Sequence, residues 1–186
     1  MALDRVRFEV GEYLLVPLEE VDADKIALFH TRNRERFAPY APLRTEFFYT
    51  AEHWVRAKSR SKKERRQETA LRWMLVDKKG VYAQIGLDQI TRGVVQAASL
   101  GYVLDETLEG QGVMTACLKH VLRHAFEALD LHRVVANHIP ENSKSEAVLT
   151  RLGFEKEGLA KSYLKLEGVW KDHVLNALIN PAHKDT

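Results

Sequence analysis

The stretch Gly101-Tyr102-Val103-Leu104-Asp105-Glu106-Thr107-Leu108-Glu109-Gly110-Gln111-Gly112-Val113-Met114-Thr115 reads as strand, turn, helix. Before the turn, Leu100 to Leu104 is a short β-suited run. After it, Val113, Cys117, Leu118, Val121, Leu122, Ala125, Phe126 and Leu129 recur at helical spacing and mark a core-packed helix. Between the two, Glu109-Gly110-Gln111-Gly112 sets two glycines where the backbone can take angles closed to other residues, with no side chain between its amides and a ligand. The first N–H groups of a helix lack internal partners and carry about half a unit of positive charge. A phosphate at Gly110 to Met114 would satisfy both deficits. The residues alone leave open a plain tight turn into a helix. No lysine follows the glycines as in a Walker loop, and the third glycine of a dinucleotide fingerprint is absent.

Downstream, Arg133 to His138 is a short strand rich in Val and Ala, and its helical connection allows parallel pairing with the strand that ends at Leu104. Asn142 to Gly153 reads as a capped helix, with Asn or Ser at its start, Ala147, Val148 and Leu152 inward, and Gly153 just past its end. Two strands close the chain, Leu159 to Leu166 and Val169 to Ile179, joined by Glu167-Gly168. Asp172 adjoins His173, but neighbours on a strand face opposite ways, which argues against a catalytic dyad.

Upstream, Tyr13 to Leu18 is a first strand, which Pro17 confines to an edge or to the strand's end. Asp22 caps a helix running to about Asn33, and Thr50 caps a second through Trp54 and Val55. Leu71 to Val76 and Val81 to Ile90 are strands joined by Asp77-Lys78-Lys79-Gly80, with the glycine expected at positive φ. Thr91-Arg92-Gly93 turns the chain into the next strand, so three antiparallel strands precede the glycine loop. The run Arg56 to Arg66 is the most basic in the chain, and suits either a solvated face or steering toward an RNA-rich partner such as ribosomal RNA.

At 186 residues, with no linker-like segment, the chain is expected to be one domain over 1–186. Charged residues make up 29% and the net charge is +2, a balance that does not by itself argue for nucleic acid. One cysteine excludes an internal disulfide, and Cys117 on the apolar stripe reads as a core residue. No paired Cys/His spacing suggests a metal. With no signal-like start and no apolar run near the roughly 20 residues of a membrane span, the expected setting is cytoplasmic.

The Glu109-to-Met114 segment resembles the pyrophosphate loop of the GNAT acyltransferases, Gln/Arg-x-x-Gly-x-Gly/Ala before a helix, with Glu109 and Met114 departing from the pattern. Asn33-Arg34-Glu35-Arg36-Phe37-Ala38-Pro39-Tyr40-Ala41-Pro42 is similar to a segment of that family's ribosomal-protein acetyltransferase branch, the RimJ/RimL type. Asn142-x-x-Ser145 followed by Gly153-Phe154, and Trp170-Lys171-Asp172-His173-Val174-Leu175, match the same branch. The resemblance runs from about residue 12 to 180. Tyr13 and Pro17 stand where the family often has arginines.

It implies an α/β (α+β) GNAT fold: a central mixed, mostly antiparallel sheet with a splayed parallel pair, flanked by helices. It implies acetyl-CoA as co-substrate, no metal, and acetyl transfer by direct attack of an amine in a ternary complex. Backbone amides of Tyr102, Val103 and Leu104 would bind the pantetheine arm, and Glu109, Gly110, Gln111, Gly112, Val113, Met114 and Thr115 the pyrophosphate, with Asn142 on the arm and Asn137 also among the coenzyme contacts. Ser145 would contact the coenzyme and protonate the departing thiolate. Asn33, Arg34, Phe37, Pro39 and Tyr40 would line the acceptor groove. The branch's base position falls on Leu164, which cannot take a proton.

Without a strong base an N-terminal α-amine is the better acceptor, because with pKa near 8 it is roughly 10% neutral at pH 7, against about 0.04% for lysine. The expected activity is acetylation of the N-terminus of a ribosomal protein beginning with Ala or Ser. The alternatives are acetylation of a small-molecule amine, and a weakly catalytic coenzyme-binding or ribosome-assembly factor.

Overall fold

The computed structural model describes residues 6–183. Eight strands form one sheet: β1 (Phe8–Val10), β2 (Tyr13–Pro17), β3 (Leu71–Val76), β4 (Val81–Thr91), β5 (Ala97–Leu104), β6 (Arg133–Val135), β7 (Glu155–Leu166) and β8 (Val169–Ile179). Their order is β1-β2-β3-β4-β5-β6-β8-β7, antiparallel throughout except for β5 beside β6. That parallel pair is joined by α4 (Val113–Arg123). The other helices are α1 (Ala23–Arg32), α2 (Arg34–Phe37), α3 (Ala51–Arg66) and α5 (Ser143–Arg151).

Strand alternation assigns each side of the sheet to its helices. Leu71, Trp73 and Leu75 of β3, with Ala83, Ile85 and Leu87 of β4, pack toward Cys117, Leu118 and Val121 of α4. Met74 and Val81 join the opposite cluster, with Ile26 and Phe29 of α1 and Trp54 of α3. Each fully buried side chain of this size contributes about 1.5–3 kcal/mol. Cys117 lies in the first cluster and burial pushes its thiol up to about 12, as befits a core residue.

The caps form as expected. Asp22 Oδ1 accepts from the Asp24 and Lys25 amides, Thr50 Oγ1 from His53, and Asn142 Oδ1 from Ser145. Pro17 ends β2.

Four local expectations change. Strand β1 is additional, a three-residue segment too short to stand out in sequence, held by β2 and by Phe8 stacked on His120 at 5.0 Å. Gly80 does not need positive φ, since Asp77 Oδ1 closes that turn by accepting from the Lys79 and Gly80 amides. Ala147 is exposed, while Val148 and Leu152 pack on the core as expected and the fully buried residue between them is Leu149. The long helix after the glycine loop ends in a π-type turn, His124–Ala128.

One feature of the topology creates the site. Strand β6 pairs with β5 only at Ala97, Ala98 and Ser99, while β5 runs on to Leu104. Beyond Ser99, alternate residues of β5 turn unpaired backbone groups into the resulting gap.

Candidate active site

The gap opens onto a cavity of about 1100 Å³ lined by Tyr102, Val103 and Leu104 of β5, by Gly110, Gly112, Val113, Met114 and Thr115 at the start of α4, and by Asn142 and Ser145 of α5. Gly110 and Gly112 both adopt left-handed φ, +71° and +75°, and nothing in the protein lies within 4 Å of where a Cβ would stand. Gly112 is the N-cap of α4 and lacks a side-chain cap, so the helix's first amides face the cavity mouth unblocked.

Glu109 does not point free into solvent. It pairs with Arg36 of α2 and with Lys144 of α5 at 2.6 Å, so two cations offset the repulsion a lone carboxylate would exert on a pyrophosphate. Arg36 also donates to the Leu104 carbonyl at 3.1 Å. Lys119 and Arg151 complete the basic lining. These cations were not among the residues singled out from sequence; only the Asn-Arg-x-x-Phe segment, which contains Arg36, pointed to one of them.

Ser145 has a partner that sequence did not suggest. Its hydroxyl lies 2.7 Å from the Tyr102 hydroxyl, and burial pushes that phenol up to about 12. The two hydroxyls form a neutral pair able to relay one proton beside the strand that would hold the thioester.

A second cavity, about 460 Å³, lies against β4 and β5 and shares Tyr102, Val103, Glu35 and Phe37 with the first. His30 of α1 stacks on Trp54 with ring centres 4.6 Å apart and hydrogen-bonds Gln84 at 2.8 Å. Burial, helped by the nearby charge of Arg44, holds its imidazole down at about 4 despite the Gln84 contact. Arg44 lies over the Phe48 ring at 4.4 Å. The floor is flat because Gly86 and Gly101 are cross-strand partners.

The residues expected in the acceptor groove are divided. Arg34 lines the smaller cavity, paired to Glu46 at 2.9 Å, and Phe37 lines both. Pro39 and Tyr40 line the larger, coenzyme-side cavity instead. Asn33 lines neither; it is buried and donates to Phe29 O and Asp105 Oδ2, both at 2.9 Å. Asp105 also accepts from Arg32 and Thr107, and although burial works to raise its carboxyl, these hydrogen bonds hold it down at about 2.

Two coenzyme-side expectations also sit elsewhere. Gln111 turns back to donate to Thr107 O at 2.7 Å, and Asn137 accepts from the Asn176 amide at 3.2 Å; neither lines the cavity. Leu164 is exposed on β7 and lines neither cavity. Asp172 Oδ1 accepts from the Ser162 amide, and His173 Nδ1 lies 3.0 Å from the Lys171 carbonyl, so the adjacent pair forms no dyad. Among the described residues no group of three His, Cys, Asp or Glu could hold a metal, and no helix is long and apolar enough to cross a membrane.

A splayed parallel pair, a glycine-capped helix beneath the gap and a second cavity meeting the first across one strand define an acyl-CoA-dependent transferase. The chain belongs to the acetyltransferase (GNAT) domain family, which matches residues 13–155, and it is an acetyl-CoA-dependent N-acetyltransferase. It is 34% identical over 167 residues to the probable N-acetyltransferase YjcK of Bacillus subtilis (strain 168), covering 89% of this chain and 92% of that protein. It is 32% identical over 179 residues to the [ribosomal protein uS5]-alanine N-acetyltransferase of Escherichia coli (strain K12), covering 95% and 92%. Among solved structures, the ribosomal-protein-S5-alanine acetyltransferase of Vibrio fischeri superposes with a TM-score of 0.92 at 36% identity, covering 97% of this chain and all of that one.

Proposed function

We propose that this single-domain enzyme acetylates the N-terminal α-amine of a ribosomal protein that begins with Ala or Ser, in the cytoplasm. The observation that carries the proposal is the meeting of the two cavities at Tyr102 and Val103. Acetyl-CoA entering from the glycine-loop side would present its thioester where an amine arrives from the other. Exposed Tyr40, Leu43 and Phe47 near these cavities suit a polypeptide that continues outward. The names of the Escherichia coli and Vibrio fischeri relatives supply the ribosomal substrate class.

In this mechanism positioning carries most of the rate. Amides of Tyr102 to Leu104 hold the pantetheine arm and polarise the thioester carbonyl, while Gly110 to Thr115 hold the pyrophosphate. Asn142, whose Oδ1 caps α5, would offer its amide nitrogen to the arm, and the Tyr102–Ser145 pair would deliver a proton to the leaving thiolate. The exposed cations Arg60, Lys62, Lys63 and Arg66 of α3 favour approach to ribosomal RNA. The test is mass spectrometry of ribosomal proteins from cells with and without this protein. The reading predicts one ribosomal protein whose N-terminal peptide is lighter in the deletion by about 42 Da, the net C2H2O that one acetylation adds. Unchanged termini throughout the ribosome would contradict it.

A further inference from the structure

With Leu164 outside both cavities, the acceptor's ammonium still needs somewhere to leave its proton. One carboxylate stands out in the acceptor cavity. Asp88 of β4 accepts from Arg72 through Oδ1, and Arg72 is held in turn by Glu64 of α3. Its Oδ2 accepts no hydrogen bond among the described residues. That oxygen lies over Gly86, 2.9 Å from where a Cβ would stand, and Gly86 faces Gly101, the residue before Tyr102. The register slips immediately after Asp88, where Gln89 takes φ +54°, and such a bulge re-aims the side chains beside it. Two glycines therefore clear a floor onto which a braced carboxylate projects an unpaired oxygen.

We propose that Asp88 is the acceptor-side base, receiving the incoming α-ammonium on Oδ2 and taking its proton as the amine attacks. This rests on the N-α-acetyltransferase reading above. Oδ2 takes one proton from the ammonium, and the lone pair this frees bonds to the thioester carbonyl carbon. Bond formation makes the remaining N–H protons far more acidic, so the second proton is lost readily and the uphill first transfer is drawn forward. Collapse breaks the C–S bond; the nitrogen loses its second proton to solvent, and the thiolate gains one from the Tyr102–Ser145 pair, which solvent replenishes. Asp88 returns its proton to water, so one proton is released per acetyl transferred.

Partial burial shifts the Asp88 carboxyl upward, against the opposing pull of Arg72, while its side chain stays open to the cavity. The other charged or titratable groups of the cavity are His30, Arg34, Glu35, Arg44 and Glu167, with Tyr49 and Tyr102. Glu35 is the rival carboxylate because it lines both cavities, but it is exposed on a four-residue helix with no brace comparable to Arg72.

The experiment is kcat/KM against pH for an Ala-start peptide, with intact mass fixing the acetyl on its α-nitrogen in the wild type. That first step tests the underlying reading by itself: no α-acetyl peptide from wild-type enzyme rejects the reading before Asp88 is considered. Between the Asp88 and acceptor pKa values, carboxylate plus ammonium is the abundant pair, so the wild-type profile should be flat up to about pH 8. Asp88→Asn should lower kcat/KM by about 100-fold at pH 6.5 and acquire a tenfold-per-unit rise up to the acceptor's pKa. Its acetyl-CoA affinity and melting temperature should stay near wild type, because Arg72 keeps Glu64. Glu35→Gln should retain the flat profile. An Asp88→Asn deficit equal at every pH indicates bracing alone and overturns the proposal. So does a wild-type-like Asp88→Asn, or a profile that moves in Glu35→Gln instead.

Discussion

The coenzyme side and the acceptor side of β5 are built differently. On the proposed coenzyme side the groups offered to the ligand by the strand and the glycine loop are backbone: the free amides of α4, the left-handed glycines at 110 and 112, and the β5 groups left unpaired where β6 stops at Val135. On the acceptor side they are side chains from separate elements: His30 of α1, Gln84 and Asp88 of β4, Arg44 from a loop, Glu167 from the β7–β8 turn. Backbone sites tolerate side-chain change and depend on conformation. Side-chain sites reverse that dependence.

The largest effect should come from breaking the backbone half. Gly112→Val puts a β-branched residue at φ +75° and aims its methyls at the ligand, since no protein atom is near. Acetyl-CoA affinity measured by calorimetry should fall at least about 100-fold, roughly 2.7 kcal/mol, in a protein that remains folded. Near-normal affinity in that mutant would show that the amides do not hold the coenzyme.

Stability against pH probes one buried histidine on each face of the sheet. Burial holds both His30 and His124 down at about 4, so each stays neutral in the folded state while the unfolded chain protonates near 6.5. Their contribution is therefore complete above pH 6.5 and is lost as pH falls toward 4, on the order of 3 kcal/mol for each. Urea unfolding at pH 7, 5.5 and 4.5 should show that decline, and His124→Phe should remove about half of it. A constant unfolding free energy over this range would mean that neither imidazole is kept neutral by the fold.

Ser145→Ala isolates a side-chain role within the coenzyme half. It should lower kcat by about 100-fold with acetyl-CoA affinity within about twofold, since the proton is needed only as the thiolate leaves. Tyr102→Phe should behave alike, and the double mutant should be little worse than either, because the two hydroxyls act as one relay. Normal kcat for Ser145→Ala, with chemistry limiting, removes that role. The smallest effect belongs to Glu109→Gln, which frees Arg36 and Lys144 for the pyrophosphate. Affinity for acetyl-CoA should rise a few-fold at low salt, about 3-fold, and the gain should vanish at 1 M salt. Unaltered binding at low salt would mean those cations do not reach the phosphates.

The same contrast explains what could be read from sequence. Gly110, Gly112, Asn142 and Gly153 announce themselves because glycine and capping residues encode backbone shape locally. The strands at 71–76 and 169–179 were legible as β-suited runs, and the helical connection allowed the parallel pairing of β5 with β6 that the family resemblance implied. The acceptor cavity did not, since nothing local links His30 to Gln84, or Asp88 to Gly101, before the sheet register is known. Asn33 shows the opposite error. A family motif drew attention to it, yet its amide braces Asp105 from within the core. Pro39 and Tyr40 kept the segment but changed sides of the strand.

On the proposed reading an α-amine meets acetyl-CoA where the two cavities join. The direct measurement offers the enzyme an Ala-start peptide and the same peptide blocked at its N-terminus but carrying lysine, then locates any acetyl group by fragmentation after intact mass. The account predicts acetylation on the α-nitrogen of the first and no modification of the second. Efficient acetylation of the blocked lysine peptide would contradict it.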